Sequence, residues 1–408
     1  MSTKIMAGSV AKMIQLMTSS SFESVIRFFG IFLLVKALPL DAFGEYSIIV
    51  AFAAITATIV NFGGYNLIMS SEKSVNVIYL YEIAVTTLNT LILPFLLFVF
   101  SFIYDLTLLI ICIFFSEHFL VSIQAITYAS LLKEKKELLL SLIRTIVALL
   151  FLLVCILLTY FEFSERIFIT LYILYSFLTC LIYIASVIYS SKKEVKFLFP
   201  CIKHYHLRLK DGVWFLASGL ARSAFFNLDK IIVGFFFSKE ITAIYAIVMR
   251  INNALFSIVN AALATTESAY YVLRDSDLAK HYKRTIKYSF FISFIMSTLG
   301  FAAIPFVLKL FPNDYYVITD YLYLMPIILV LQSVSWNNLN YLNGIRKEKI
   351  RLFCMLWGVV ILFILNLASF LLSLKLFPLY IYMVSILFIF IYSFVKVRNE
   401  SRKSLFKI

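Results

Sequence analysis

The chain has 408 residues, of which 62% are hydrophobic and 14% are charged, and its formal net charge is +14. Its mean hydropathy is +0.96. A soluble domain cannot bury that much apolar surface, whereas a protein that crosses a membrane many times leaves it in contact with lipid. These values exclude a soluble globular protein and predict an all-α integral membrane protein.

Twelve apolar stretches follow one another along the chain. A helix that crosses a bilayer needs about 20 predominantly apolar residues. The stretches occupy residues 11–37, 43–70, 76–103, 105–132, 137–160, 166–190, 212–236, 241–272, 284–310, 317–343, 350–374 and 376–397. The fourth is the weakest candidate, because Glu117, His118 and Gln124 interrupt it. We therefore predict twelve transmembrane helices.

Basic residues are distributed unevenly between the segments that join these stretches. With the first segment placed in the cytoplasm, the cytoplasmic segments hold 26 of the 36 Lys and Arg residues, and the opposite loops hold five. Cytoplasmic loops carry the Lys/Arg excess in membrane proteins, so we expect both termini in the cytoplasm. Anionic headgroups attract such loops. The positive charge therefore predicts membrane lipids as partners and requires no nucleic acid.

A long basic segment divides the twelve stretches into two sets of six. Residues 191–211 alternate bases with aromatic residues, a composition typical of a segment that lies on the membrane surface. We predict an N-terminal six-helix bundle at residues 1–190, a cytoplasmic interfacial linker at 191–211 and a C-terminal six-helix bundle at 212–408.

The two halves share a sequence pattern at a fixed offset. A shift of 199 residues aligns residues 40–46 with 239–245, each a short acidic turn followed by a tyrosine and an apolar helix, and aligns Asn61 with Asn260. Parallel repeats of this kind, related by an axis along the membrane normal, are a transporter architecture. The pattern predicts two bundles related by a pseudo-two-fold repeat.

Five basic residues lie well inside the apolar stretches, away from their ends. They are Arg27, Arg144, Arg222, Lys230 and Arg250. Because a cation at the centre of a bilayer costs about 2.5–3.5 kcal/mol on the insertion scale, such residues face a bundle interior or a water-filled cavity. Arg144 and Lys230 are close enough to a membrane surface for their long side chains to reach it. A cationic interior predicts an anionic substrate.

Polar residues form a stripe along the eighth stretch. At 100° per residue, one arc of about 100° contains Arg250, Asn253, Ser257, Asn260, Ala264 and Glu267. Such a stripe suits the lining of a cavity, and the alternative is hydrogen bonding between helices. We place Arg250, Asn253 and Asn260 among the predicted substrate-binding residues.

Three other stretches carry polar or ionisable groups. In the first, Glu23 and Arg27 have the i, i+4 spacing of an ion pair, which suits a packing role as well as a substrate contact. In the seventh, Arg222 and Asp229 share a face, with Lys230 beside them. The tenth has an asparagine-rich inner half, which predicts a hydrated vestibule, and further intramembrane titratable groups are Glu82, Glu117 and His118.

Motifs of catalysis and of cofactor binding are absent from the sequence. It contains no phosphate-binding G-x-x-x-x-G-K-[ST] loop and no nucleophile elbow. Cys201, His204 and His206 lack a nearby fourth ligand for a zinc site. We expect neither an enzyme nor a bound metal or cofactor.

Two motifs carry a resemblance to a known family. Residues 37–46, Ala-Leu-Pro-Leu-Asp-Ala-Phe-Gly-Glu-Tyr, resemble the turn after span 1 of the polysaccharide-transporter branch of the multidrug/oligosaccharidyl-lipid/polysaccharide (MOP) exporter superfamily. Residues 227–234, Asn-Leu-Asp-Lys-Ile-Ile-Val-Gly, and 243–246, Ala-Ile-Tyr-Ala, resemble its span 7–8 signature, although Ala243 stands where the family often has glycine. Within this branch the chain is similar to O-antigen flippases.

The resemblance implies a MATE-like, V-shaped pair of bundles in the bacterial inner membrane. It implies alternating access to a cationic cavity and movement of an undecaprenyl-pyrophosphate-linked oligosaccharide from the cytoplasmic to the periplasmic leaflet. A polysaccharide polymerase and a chain-length regulator would be partners. An ion gradient would drive transport, and Glu23, Asp229 and Glu267 are the coupling candidates.

Two other functions remain open at this stage. A polytopic O-antigen polymerase or ligase would need a sizeable periplasmic loop with catalytic residues, and every loop predicted on that side is short. A multidrug exporter of the same superfamily would favour acidic cavities for cationic drugs, whereas the predicted cavity here is basic.

Overall fold

Helices account for almost the whole of the structure, a computed structural model. It describes residues 21–70, 75–102, 107–134, 136–161, 164–190, 202–267, 270, 275–309, 319–345, 347–372 and 378–405, and this part of the chain contains no strand. Since the chain has only 11 Gly and 7 Pro, few positions interrupt a helix. The all-α prediction is confirmed.

In the first half of the chain, the described residues form eight helices. They are α1 (residues 21–37), α2 (Leu40–Asn61), α3 (Gly64–Ser70), α4 (Val75–Asn89), α5 (Leu93–Ser101), α6 (Leu108–Lys133), α7 (Glu137–Tyr160) and α8 (Glu165–Ser190). A 3₁₀ turn, Thr90–Ile92, joins α4 to α5. Thr107 caps α6 by accepting a hydrogen bond from the Ile110 N–H, 3.3 Å away, as hydroxyl residues do at helix N-termini.

Seven helices are present in the part of the second half that the structure describes. They are α9 (Ile202–Phe236), α10 (Lys239–Glu267), α11 (Asp275–Leu308), α12 (Thr319–Leu322), α13 (Met325–Gly344), α14 (Glu348–Leu371) and α15 (Pro378–Leu405). Of the predicted linker, residues 191–201 lie outside the described residues, and 202–211 are the first turns of α9. The division into bundles at 190 and 212 stays a prediction.

Each of the twelve predicted stretches contains a helix. In the described part of the chain, nine helical segments are long and apolar enough to cross a membrane. The other three stretches contain α1, α9 and α13. Residues 11–20 lie outside the described residues, so α1 is seen only from residue 21, while charges in α9 and amides in α13 lower their hydropathy. The protein is a multi-pass membrane protein.

Three helices extend well beyond their predicted stretches. α9 begins at Ile202 and α11 at Asp275, ahead of the predicted 212 and 284, and α15 ends at Leu405 instead of 397. The extensions contain charged residues that hydropathy excludes from lipid. Nothing in their composition stops a helix, because Lys and Arg are good helix formers.

One predicted span bends at a turn. Between α2 and α3, Phe62 has φ 45° and Gly63 has φ 77°, both in the left-handed region. The Phe62 N–H donates to the Thr58 and Ile59 carbonyls and so closes α2, as left-handed C-caps do. Residues 43–70 are therefore two helices instead of one.

The chain groups into two compact units. One comprises Leu33–Phe235, and the other comprises Met1–Phe32 with Phe236–Ile408. In the first unit α6 packs against α2, α3, α4, α7 and α8. In the second, α13 packs against α10, α11, α14 and α15. Each unit thus has a central helix surrounded by others.

The asparagine-rich end of α13 binds neighbouring helices and does not line a vestibule. Asn337 accepts from the Tyr270 hydroxyl at 2.8 Å, and Asn338 accepts from the Tyr282 hydroxyl at 2.7 Å and donates to Ser393 Oγ at 3.1 Å. Asn338 is fully buried. The prediction of a hydrated vestibule is therefore wrong, because these amides are used as interhelical hydrogen bonds.

The 199-residue repeat reappears in the packing inside each unit. In one unit Ser24 of α1 bonds to Ser257 of α10, Oγ to Oγ at 2.7 Å. In the other, Ser223 of α9, which is 199 residues after Ser24, donates to the carbonyl of Ala54 in α2 at 3.1 Å. Beside it, a Cβ on Gly219 would lie 3.3 Å from Thr58 Cγ2, and Thr58 is 199 residues before Ser257. Equivalent helices thus make equivalent contacts.

Candidate functional site

The Glu23–Arg27 ion pair lies on α1. Arg27 Nε donates to Glu23 Oε1 at 2.9 Å. The Glu23 side chain is 8% exposed and the Arg27 side chain is 33% exposed. The i, i+4 ion pair is therefore confirmed, and part of the guanidinium remains accessible to a ligand.

A hydrogen bond fastens this pair to the polar stripe of α10. Ser24, next to Glu23, bonds to Ser257 Oγ, and Ser257 donates to the Ala254 carbonyl at 2.8 Å. Helix α10 therefore presents the residues of its stripe close to the turn of α1 that carries Glu23 and Arg27.

Two asparagines of the α10 stripe have unused acceptors. Asn253 and Asn260 are half-buried, and the Oδ1 atom of each is buried without a hydrogen-bond partner among the described residues. An unsatisfied buried polar group costs about 1–3 kcal/mol. Such oxygens can accept from a ligand hydroxyl. Arg250 is also half-buried on this stripe.

The opposite side of α10 has a structural role. Asn252, adjacent to Asn253, is fully buried, and its Nδ2 donates to Gln332 Oε1 of α13 at 2.7 Å. One asparagine therefore holds two helices together, while its neighbour lies on the half-buried stripe. Glu267 is the last residue of α10, and its side chain lies outside the described residues.

The charges of α9 lie in the other unit and form a buried pair with one exposed cation. Lys230 Nζ is 3.1 Å from Asp229 Oδ1 and donates to the Phe226 carbonyl at 2.8 Å. Asp229 is fully buried and Lys230 is 7% exposed, whereas Arg222 is exposed. The interpretation that Lys230 extends to the membrane surface is wrong, because its amine bonds back to the preceding turn.

The predicted site residues thus fall into two groups. Glu23, Arg27, Arg250, Asn253 and Asn260 lie in one unit, where α1 and α10 bring them near each other. The other unit contains the three predicted site residues of α9, namely Arg222, Asp229 and Lys230. Their roles in binding substrate or a coupling ion stay predictions.

Arg144 and Arg351 are held by aromatic rings. The Arg144 guanidinium lies 5.6 Å from the centroid of the Tyr128 ring. Arg351, placed by the sequence in the cytoplasmic belt, is 7% exposed and lies 5.5 Å from the Trp336 ring. Cation–π contacts stabilise such charges where water is excluded. Neither aromatic partner could be identified from the sequence.

A polar network around Glu117 was only partly visible in the sequence. The Tyr172 hydroxyl donates to the Glu117 carboxylate, and Tyr46 Oη lies 3.4 Å from Tyr172 Oη. His118 is fully buried beside Thr56, with Nδ1 3.5 Å from Thr56 Oγ1. A carboxylate in an apolar span signals a buried donor, but nothing in the sequence identifies which tyrosine supplies it.

The comparisons with solved structures find MATE transporters. The chain is similar to a multidrug resistance MATE family transporter of the MOP superfamily in an inward-facing conformation, with a TM-score of 0.65, 14% identity and 95% of each chain covered. It is also similar to a MATE protein in the straight conformation, with a TM-score of 0.64, 16% identity, and 97% of this chain and 96% of the other covered. At these identities the likeness shows the fold, so the predicted MATE-like architecture is confirmed.

The comparisons of sequence identify the family. A search of the curated proteins finds no match. The family model described as polysaccharide biosynthesis protein matches residues 9–266, more than half of the chain. Together with the MATE-like fold and the two motifs of its sequence, this match shows that the chain belongs to the polysaccharide biosynthesis protein family.

Proposed function

We propose that the protein is a flippase of the bacterial inner membrane, with both termini in the cytoplasm. Its substrate is an undecaprenyl-pyrophosphate-linked repeat unit of O-antigen or a related polysaccharide. The protein moves this lipid from the cytoplasmic to the periplasmic leaflet by alternating access. A polymerase and a chain-length regulator then act on the product.

The observation that carries the proposal is the polar stripe of α10. A membrane helix holds Arg250 with the unused amide oxygens of Asn253 and Asn260, and Arg27 is attached nearby through the Ser24–Ser257 bond. Cations and hydrogen-bonding groups in a transmembrane helix are costly and mark a substrate path. The membership in a polysaccharide family supports a sugar-containing substrate.

The chemistry of the substrate fits this arrangement. Arginine binds phosphate oxygens with two parallel hydrogen bonds, which suits a pyrophosphate. Asparagine oxygens accept from sugar hydroxyls. In this proposal Arg27, Arg222, Arg250 and Lys230 provide positive charge, and Asn253 and Asn260 contact the sugar.

In this proposal, intramembrane carboxylates couple transport to an ion gradient. Glu23 neutralises Arg27 in the structure through a hydrogen bond of 2.9 Å. In this proposal Glu23 is a coupling candidate because its carboxylate competes with a phosphate for Arg27. Asp229 and Glu267 are the other coupling candidates.

A complementation experiment tests the proposed function. In a strain that lacks the gene, Arg222→Ala and Arg250→Ala are expected to abolish surface polysaccharide, while lipid-linked repeat units accumulate on the cytoplasmic side. Arg284→Ala is the matched control, because Arg284 is exposed on α11 and bonds to Tyr288 of its own helix. Normal surface polysaccharide in both test variants, at normal protein levels, contradicts the assignment.

The same strains separate the alternatives. Loss of a polymerase leaves single repeat units on the surface, whereas loss of a flippase leaves none. A multidrug exporter would change drug susceptibility and leave polysaccharide intact. The MATE transporters found by comparison support the fold in this argument, and Arg250 in the middle of α10 favours an anionic substrate over a cationic drug.

A further inference from the structure

An apolar cavity of about 240 Å³ lies in the unit formed by Met1–Phe32 and Phe236–Ile408. Its walls come from α1, α10, α11 and the segment of α12 and α13. The residues that define its shape include Phe28, Ala254, Leu255, Ala303, Met325 and Leu329. None of these belongs to the polar stripe.

The cavity offers no hydrogen bond to a ligand. Ser24 and Ser297 are the hydroxyl residues in its lining. Ser24 is bonded to Ser257 at 2.7 Å, and Ser297 donates to the Pro326 carbonyl at 3.1 Å. A cavity of about 150 Å³ with apolar walls stays dry and takes up small hydrocarbons. The larger cavity here is therefore suited to a hydrocarbon group.

The cavity is accessible from the surface of the unit. Of its lining residues, Val25 is 50% exposed and Phe301 is 49% exposed, and Ala303 is also exposed. Whole small-molecule sites usually measure about 300–1,000 Å³. A cavity of this size and access accommodates a segment of a longer chain rather than a complete drug molecule.

Two arginines lie beside the cavity: Arg27 is adjacent in sequence to Phe28, and Arg250 is adjacent to Ile251, and both neighbours line it. Helices α1 and α10 are antiparallel in the predicted topology and meet where Ser24 bonds to Ser257. Arg27 follows Ser24 by three residues, and Arg250 precedes Ser257 by seven residues. Because the two helices run in opposite directions, both arginines are displaced toward the same side of the membrane from the Ser24–Ser257 bond, Arg27 by about 4.5 Å and Arg250 by about 10.5 Å along the helix axes. A hydrocarbon segment in the cavity would therefore be next to positive charge.

We propose that this cavity binds the isoprenoid units next to the pyrophosphate of the lipid-linked substrate. The inference rests on the proposed function, and it adds a tail site to the predicted head-group site. The combination of an apolar cavity with two arginines beside it complements a hydrocarbon chain that carries pyrophosphate, whereas a cationic drug lacks that match. An isoprenoid held in the cavity would place the pyrophosphate of the substrate close to Arg250 of α10.

A binding experiment with two soluble probes tests the tail site. Geranyl pyrophosphate carries two isoprene units, and methyl pyrophosphate carries none. Their dissociation constants are measured on the full-length protein in phospholipid nanodiscs. The test variants are Ala303→Leu and Ala254→Leu, which fill the cavity from α11 and from α10. Ala302→Leu is the control, because Ala302 is the exposed neighbour of Ala303 and does not line the cavity.

If the cavity binds the isoprenoid, filling it should weaken the binding of geranyl pyrophosphate and leave the binding of methyl pyrophosphate unchanged. Wild-type protein is expected to bind geranyl pyrophosphate roughly tenfold more tightly than methyl pyrophosphate, a difference of about 1.4 kcal/mol. Both filling variants should lose this preference and keep their affinity for methyl pyrophosphate, and Ala302→Leu should behave as wild type. Partition of the probe into lipid is the same for all variants, so the comparison isolates the cavity.

Two other results overturn the inference in distinguishable ways. If the preference for geranyl pyrophosphate is absent, or survives both filling variants, the cavity does not bind the isoprenoid; a resident phospholipid acyl chain would give equal affinities for both probes. If neither probe binds wild-type protein, pyrophosphate recognition itself fails, and the proposed function fails with it. Should Ala254→Leu not fold, Ala303→Leu at the exposed wall decides.

Discussion

Asparagine residues in this protein have two roles that their sequence context does not separate. Asn338 is buried and bridges Tyr282 and Ser393, whereas Asn253 and Asn260 are half-buried with unused oxygens. Both kinds occur in apolar stretches with similar neighbours. Burial and partners, rather than polarity, distinguish a residue that joins helices from one that can meet a ligand.

The same substitution should therefore have opposite consequences at the two kinds of site. Asn338→Ala removes interhelical hydrogen bonds worth about 0.6 kcal/mol each on average and is expected to lower the Tm of the purified protein. Asn253→Ala and Asn260→Ala should leave the Tm unchanged or raised, since each removes an unsatisfied oxygen, and should reduce transport several-fold. Thermal unfolding and a transport assay on the same preparations make the comparison. Equal losses of Tm at all three positions would contradict the distinction.

The internal repeat can be recognised in the sequence, whereas the contacts that its helices make cannot. The motif at residues 40–46 and 239–245 predicts the repeat, and the equivalent positions of Ser24 and Ser223 agree with it. Serines are frequent in the chain, however, and which one bonds across helices depends on the rotation of each helix. The repeat could be predicted, but its contacts could not.

A glycine at the end of α13 marks a close approach of two segments. A Cβ on Gly344 would lie 2.5 Å from the carbonyl oxygen of Tyr270, a backbone atom that cannot turn aside. Gly344→Ala should destabilise the protein by about 1–3 kcal/mol, the usual cost of overpacking. Gly219→Ala is the milder comparison, because its Cβ would meet a side-chain methyl of Thr58 at 3.3 Å. Unfolding midpoints that rank the two variants in the reverse order would refute this account.

At the scale of the whole molecule, hydropathy and charge predicted most of the architecture. The apolar stretches gave the helices, because lipid requires about 20 apolar residues whatever the fold. They missed the ends of α9, α11 and α15, since a helix continues into water where hydropathy falls. They also missed the break at Phe62, which is a backbone turn without a proline. The pairing of Lys230 with Asp229 was unresolved, because adjacent residues do not usually face each other on a helix.

The predicted topology can be tested by thiol labelling. In a background without the five native cysteines, Lys239→Cys is expected to react with a membrane-impermeant reagent in intact cells, and Lys280→Cys only after permeabilisation. Lys239 begins α10, and both residues are exposed. The basic side of the chain faces the cytoplasm in this account. The cysteine-free parent controls for background labelling, and the reverse pattern of reactivity would place both termini outside the cytoplasm.

The central claim is that arginines on α1 and α10 recognise a pyrophosphate-linked oligosaccharide and that the protein moves it across the membrane. The direct measurement is flipping of a fluorescent polyprenyl-pyrophosphate oligosaccharide in proteoliposomes, scored by its exposure to an external quencher. Wild-type protein and Arg284→Ala should move the lipid, whereas Arg27→Ala and Arg250→Ala should reduce the rate at least tenfold, the effect of about 1.4 kcal/mol. Flipping at the wild-type rate by folded Arg250→Ala and Arg27→Ala proteins would contradict the claim.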